Sequence, residues 1–135
     1  MLADYRSGVI KQQLIHRLLR VRRRRPELFA RAGYEPLDVM GWRREHIVAF
    51  MRRFERYCLL VAVPRLCAAG VNEDRPMVSK EFWGDTAIAC ANDDVACTFS
   101  DLFTHRTYQG GAQGLPARTL FSEWPVAVLM SESYP

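Results

Sequence analysis

The sequence predicts an α+β domain: one long N-terminal helix followed by an antiparallel, sandwich-like β-domain. Three observations predict it. Apolar residues recur at helical spacing between Gly8 and Arg24. From Tyr34 onward they alternate or fall in short runs, which is the pattern of strands. The chain of 135 residues, 49% hydrophobic and 25% charged, suffices for one core and gives little sign of a second. The chain accordingly divides into residues 1–32, a helical segment, and residues 33–135, the β-domain.

The helix comes first. Ile10, Leu14, Leu18 and Val21 follow i, i+4, i+8, i+11, and Ile15 and Leu19 widen that stripe into a broad apolar face that needs a partner. Ser7 is the expected N-cap. Pro26 disfavours helical geometry at Arg25, which places the helix at about residues 8–24. A short turn through Glu27-Leu28-Phe29-Ala30-Arg31 then runs to Gly33.

Strands are expected near 34–39, 46–53, 57–64, 85–90, 99–103, 118–121 and 125–130. Phe54-Glu55-Arg56 is short enough to join the second and third as a tight hairpin. Alternation puts Val48 and Phe50 on one face of the second strand and Ile47, Ala49 and Met51 on the other. Two apolar faces indicate an interior strand. Breaks at Gly70 to Pro76 and at Gly110-Gly111-Ala112-Gln113-Gly114 read as loops between strands, and no internal repeat or low-complexity tract is present.

Composition narrows the function classes. The longest apolar runs, Leu59 to Val63 and Val126 to Met130, are far below the ~20 residues of a membrane-spanning helix. The opening Met1-Leu2-Ala3-Asp4-Tyr5-Arg6 lacks the basic-then-apolar order of a secretory signal, so the expected location is the cytoplasm, with no membrane partner. Charge is uneven. Residues 1–60 carry 14 basic and 6 acidic side chains, whereas residues 61–135 carry 5 and 9. The run Arg22-Arg23-Arg24-Arg25, with Arg17 and Arg20 before it, invites a nucleic-acid reading. Consecutive helical residues point about 100° apart, however, so the run spreads around the helix, and cations in a last turn complement the helix dipole. A solvated helix end is the expectation and no nucleic-acid partner is assigned, with phosphate binding or ion pairing to a neighbouring domain as alternatives.

Cys58, Cys67, Cys90 and Cys97 contain no CxxC pair, and His16, His46 and His105 lack a second ligand at i+3 or i+4. No metal and no cofactor is expected, and the cysteines read as small buried hydrophobes, with disulfide pairing as the alternative. Glu73-Asp74 and Asp93-Asp94 are adjacent loop carboxylates of the solvated kind, and Ser100, Ser122 and Ser131 have no nucleophile-elbow context. No catalytic residue is assigned.

The ordered set of segments resembles a known family. The helix ending Leu18-Leu19-Arg20-Val21-Arg22-Arg23, then Pro26-Glu27-Leu28-Phe29, Tyr34-Glu35-Pro36-Leu37 and Val61-Ala62-Val63-Pro64-Arg65 are similar to the C-terminal portion of the malto-oligosyltrehalose synthases of the α-amylase superfamily. Trp83-Gly84-Asp85-Thr86, Phe99-Ser100-Asp101-Leu102-Phe103-Thr104 and Leu120-Phe121-Ser122-Glu123-Trp124-Pro125-Val126-Ala127-Val128-Leu129 fit the same region, so the resemblance spans roughly Arg6 to Met130.

The resemblance implies an enzyme of trehalose synthesis. That family is an isomerase that converts the reducing-end α-1,4 linkage of a malto-oligosaccharide into an α,α-1,1 linkage by intramolecular transglucosylation. Its carboxylates stand on barrel strands outside the resembling region, so the chain alone is expected to be inactive and to support a catalytic barrel. The first helix would be the last barrel helix. Ile10, Leu14, Leu18 and Val21 would then contact the barrel, in the same polypeptide or another, or a second copy of the chain. Malto-oligosaccharide is a possible ligand. Of Trp42, Trp83, Trp124, Tyr34 and Tyr108, Trp83 and Tyr108 lie beside loops and are the sugar-contact candidates. A free-standing glucan- or protein-binding module is the first alternative, and an Arg-rich nucleic-acid binder the second.

Overall fold

The structure, a computed structural model, describes residues 2–72, 74–90 and 97–132. A 3-10 turn over Leu2–Ser7 leads to Gly8, whose φ of 81° is open to glycine at little cost, and helix α1 (Val9–Arg24) starts directly after it. Gly8, and not the expected Ser7, is therefore the N-cap. Ser7 belongs to the preceding turn, where its Oγ accepts from the Val9 N–H at 3.4 Å. Arg25 leaves helical geometry at φ −136°, and helix α2 (Pro26–Ala30) opens on the proline, which gives up no hydrogen bond there.

The remaining strands and helices follow in order. They are β1 (Glu35–Pro36), β2 (Val39–Met40), β3 (Ile47–Phe54), β4 (Tyr57–Pro64), α3 (Lys80–Trp83), β5 (Ala87–Ile88), β6 (Thr98–Asp101), β7 (Thr107–Gln109), β8 (Leu115–Pro116), α4 (Ala117–Leu120) and β9 (Ala127–Glu132). They form a six-stranded sheet in the order β1-β3-β4-β9-β6-β7 and a three-stranded sheet β2-β5-β8, antiparallel throughout. The predicted α+β class is the observed one.

Alternation along β4 explains the layering. Cys58, Leu60 and Ala62 point into a core shared with Ile47, Ala49 and Met51 of β3, with Ile88 and Leu115 of the small sheet, and with Phe82, Trp83 and Leu120 of α3 and α4. Leu59 and Val61 point the other way, into a second cluster with Leu28, Ala32, Phe103 and Val128, against which Leu14 and Leu18 of α1 pack. The large sheet is thus covered by helices α1 and α2 on one side and by the small sheet with α3 and α4 on the other.

Three strand expectations change. Residues 34–39 divide between the two sheets, because Leu37, whose N–H donates to Ala49 O at 2.9 Å, ends the pairing with β3 before β2 pairs with β5. Residues 118–121 are not a strand. Ala117 and Leu120, both 0% exposed, share one side of a single helical turn, where i, i+3 spacing buries both and strand geometry would expose one. The stretch 85–90 pairs only at Ala87 and Ile88. Among the described residues, no helix is long and apolar enough to cross a membrane.

Candidate functional site

The first candidate surface is the flank of α1. Leu14 and Leu18 pack on the sheet, Ile10 and Val21 are half-buried, and no residue of this helix is fully buried. Arg17 fastens it: Nη1 donates to Leu102 O at 2.7 Å and to Phe103 O at 3.1 Å, and the guanidinium lies 5.4 Å from the Phe103 ring centre. Those carbonyls are held in place by Asp101. Its buried Oδ1 accepts from the Phe103 N–H at 2.7 Å and the Thr104 N–H at 3.1 Å, shaping the β6–β7 turn. Burial pushes the Asp101 carboxyl above its usual range against the downward pull of these two N–H groups. Ile15 and Leu19, on the outer side of the apolar stripe, remain 46% and 54% exposed.

Arginines close the edges of this layer. Arg25 lies 4.1 Å from the ring centre of Tyr57 and Arg31 5.4 Å from that of Phe54, each covering an aromatic of the β3–β4 hairpin. Arg20 and Arg24, with Arg17, Val21, Leu102 and His105, line a basic cleft of about 320 Å³.

A second surface surrounds Trp42. Gly41, at φ 96°, lies so close to the next segment that a Cβ would stand 2.9 Å from Asp85 O, Asp85 Oδ1 and Thr86 Cα. Glycine is required there by both backbone and space. The Trp42 N–H donates to Asp85 Oδ1 at 2.9 Å and the Arg43 N–H to Thr86 Oγ1 at 2.9 Å, lacing the turn to the start of β5. Trp42 is nevertheless 74% exposed. Gly41, Trp42, Arg44, Glu45 and Asp85 line a cleft of about 550 Å³. A further cleft of about 500 Å³ is lined by Lys80, Glu81, Arg106, Arg118, Thr119 and Ser122, with Arg106 paired to Glu123.

The two residues singled out for sugar contact are placed differently. Trp83 is 0% exposed and packs at 5.2 Å ring separation against both Phe82 and Phe121. Its indole has no free face, because it ends α3 and turns into the core between the sheets. Tyr108 is half-buried, with its ring against the main core. Its hydroxyl is buried without a hydrogen-bond partner among the described residues, and burial raises its pKa. Neither residue joins Trp42 in a shared site. Trp124 is half-buried and stacks on Phe103 at 4.7 Å, and Tyr34, 61% exposed, stacks on Phe50 at 4.9 Å. The signal that could have found Trp42 is its setting, Gly41-Trp42-Arg43-Arg44-Glu45, which has no apolar neighbour to bury an indole with.

Of the loop carboxylates, Asp74 is exposed, whereas Glu73, Asp93 and Asp94 lie outside the described residues. Cys58 is buried and Cys67, Cys90 and Cys97 are half-buried, and burial raises the pKa of Cys67 and Cys90. Among the described residues, no group of three His, Cys, Asp or Glu side chains is placed to hold a metal ion.

No family model matches the chain, and no curated protein sequence matches it. A solved structure is similar to it: a mutant of maltooligosyltrehalose synthase from Arthrobacter ramosus, at 30% sequence identity and a TM-score of 0.66, over 92% of this chain and 14% of that one. The chain thus spans about one seventh of the length of the protein it matches.

Proposed function

We propose that this chain is the C-terminal module of an enzyme related to malto-oligosyltrehalose synthase, and that it supports a catalytic barrel rather than carrying out catalysis itself. The observation that carries this reading is the likeness over 92% of the chain, at 30% identity, to a small part of such a synthase. The α1 layer fits the role. Its inner stripe is used on the sheet, while Ile15 and Leu19 present an apolar ridge outward, flanked by Arg20, Arg22, Arg23 and Arg24. A barrel with an apolar groove and acidic rim is the complement that this ridge requires.

On this reading the whole enzyme converts the reducing-end α-1,4 linkage of malto-oligosaccharides to α,α-1,1, and the barrel supplies the carboxylates. The cytoplasm is its proposed location. The test is trehalose formation from maltopentaose by the chain alone, by a catalytic domain of such a synthase alone, and by the two mixed. Activity restored by mixing supports the proposal, and a mixture no better than the catalytic domain alone overturns it. A free-standing glucan-binding module is the second reading, favoured by the exposed Trp42.

A further inference from the structure

Trp42 pairs an exposed ring with a fixed backbone. An indole 74% exposed leaves most of its apolar area in water, a cost normally removed by burial or by a ligand. The backbone of the surrounding turn is held by several contacts. Gly41 abuts Asp85 and Thr86, the Trp42 and Arg43 amides are tied to their side chains, and Arg43 packs 4.2 Å from the Phe82 ring centre. A ring carried on so constrained a turn is preorganised, and little conformational freedom is lost when something binds it.

The lining of the cleft selects the class of ligand. A flat apolar ring meets the carboxylates of Asp85 and Glu45 and the guanidinium of Arg44 around about 550 Å³, within the roughly 300–1,000 Å³ of small-molecule sites. A pyranose matches both components: its C–H face packs on an aromatic, and its hydroxyls donate to carboxylates and accept from a guanidinium. The cleft at Arg106 and Arg118 is lined by no aromatic ring, and in the cleft at Phe54 and Tyr57 the guanidiniums of Arg31 and Arg25 stand 5.4 and 4.1 Å from the ring centres; the Arg43 guanidinium stands 5.7 Å from that of Trp42, whose side chain nevertheless stays mostly exposed.

We infer that Trp42, with Asp85, Glu45 and Arg44, forms an α-glucan contact site on the β-domain. The choice of an α-glucan over other sugars rests on the function proposed above.

The test uses the ¹⁵N-labelled full chain titrated with maltoheptaose. Trp42 is one of three tryptophans, and its indole N–H signal is identified by its loss in Trp42→Ala. Expected are a saturable shift of that signal and of the Asp85 and Glu45 amides, weakened about tenfold or more in Trp42→Ala and less in Trp42→Phe. Cellohexaose should bind more weakly. The proposal is overturned by an unmoved Trp42 signal, by undiminished maltoheptaose binding to Trp42→Ala, or by equal binding of cellohexaose. It is overturned too by a Trp42→Ala chain that still binds maltoheptaose and no longer restores activity to a catalytic domain, which would make Trp42 a protein contact. Failure of the parent chain to restore activity, with Trp42 still binding maltoheptaose, leaves this site standing and removes the barrel-supporting role instead.

Discussion

Trp83 stands at the centre of the main core, edge-on to Phe82 and tilted against Phe121. Replacing it with alanine opens a large cavity between the two sheets, and Trp83→Ala should lose about 3–5 kcal/mol in urea unfolding. Gly41→Ala should lose about 1–3 kcal/mol, because both the positive φ and the 2.9 Å approach to Asp85 and Thr86 oppose a side chain there. Asp101 makes stability depend on pH. Its folded carboxyl titrates above the ordinary carboxylate value, chiefly through burial, so the stability it contributes is fully present below that ordinary value and is lost as pH rises through the raised one. Asp101→Asn keeps an oxygen acceptor for the Phe103 and Thr104 amides and removes the charge. Urea midpoints across the mildly acidic range should therefore fall with rising pH in the parent and stay flatter in the variant. The sequence placed these residues only in part. In the sequence Trp83 reads as an aromatic beside a loop while Trp42 is not singled out, and which indole is buried depends on residues distant in the chain: Phe121 lies across the core from Trp83, and Asp85 binds the Trp42 backbone.

Helix α1 shows what periodicity can and cannot specify. The stripe Ile10, Leu14, Leu18, Val21 was legible because 3.6-residue spacing aligns those side chains whatever they pack against. That Leu14 and Leu18 meet Leu59, Val128 and Phe103 was not legible, since it depends on the other face of β4 being apolar as well. This docking folds the helix back onto its own domain, so Ile15 and Leu19 remain as the outward ridge. Ile15→Asp with Leu19→Asp should lower unfolding stability by only about 1 kcal/mol, because both side chains are about half exposed. The same pair should abolish association with a catalytic domain, and any self-association of the chain, both read by light scattering. If association persists in the double variant, this ridge is not the contact.

At the scale of the whole molecule, a six-stranded sheet covered on both faces lies between α1 and the small sheet that carries the Trp42 turn, so the apolar ridge and the aromatic cleft belong to one folded unit. Mixing the chain with a catalytic domain should therefore raise the domain's unfolding temperature as well as its activity, because whatever binds only the folded form stabilises it. A rise in thermal midpoint without activity would leave a stabilising role and remove a part in shaping the site. The sequence by itself determined the class, the long first helix and the β3–β4 hairpin, because helical spacing, strand alternation and a short polar turn act between near neighbours. Only the tertiary structure decided that residues 118–121 form a helical turn, that residues 34–39 serve two sheets, and that Trp42 is exposed while Trp83 is sealed. Short segments carry too few local hydrogen bonds to fix their own conformation, and burial is set by whatever distant parts of the chain arrive beside them.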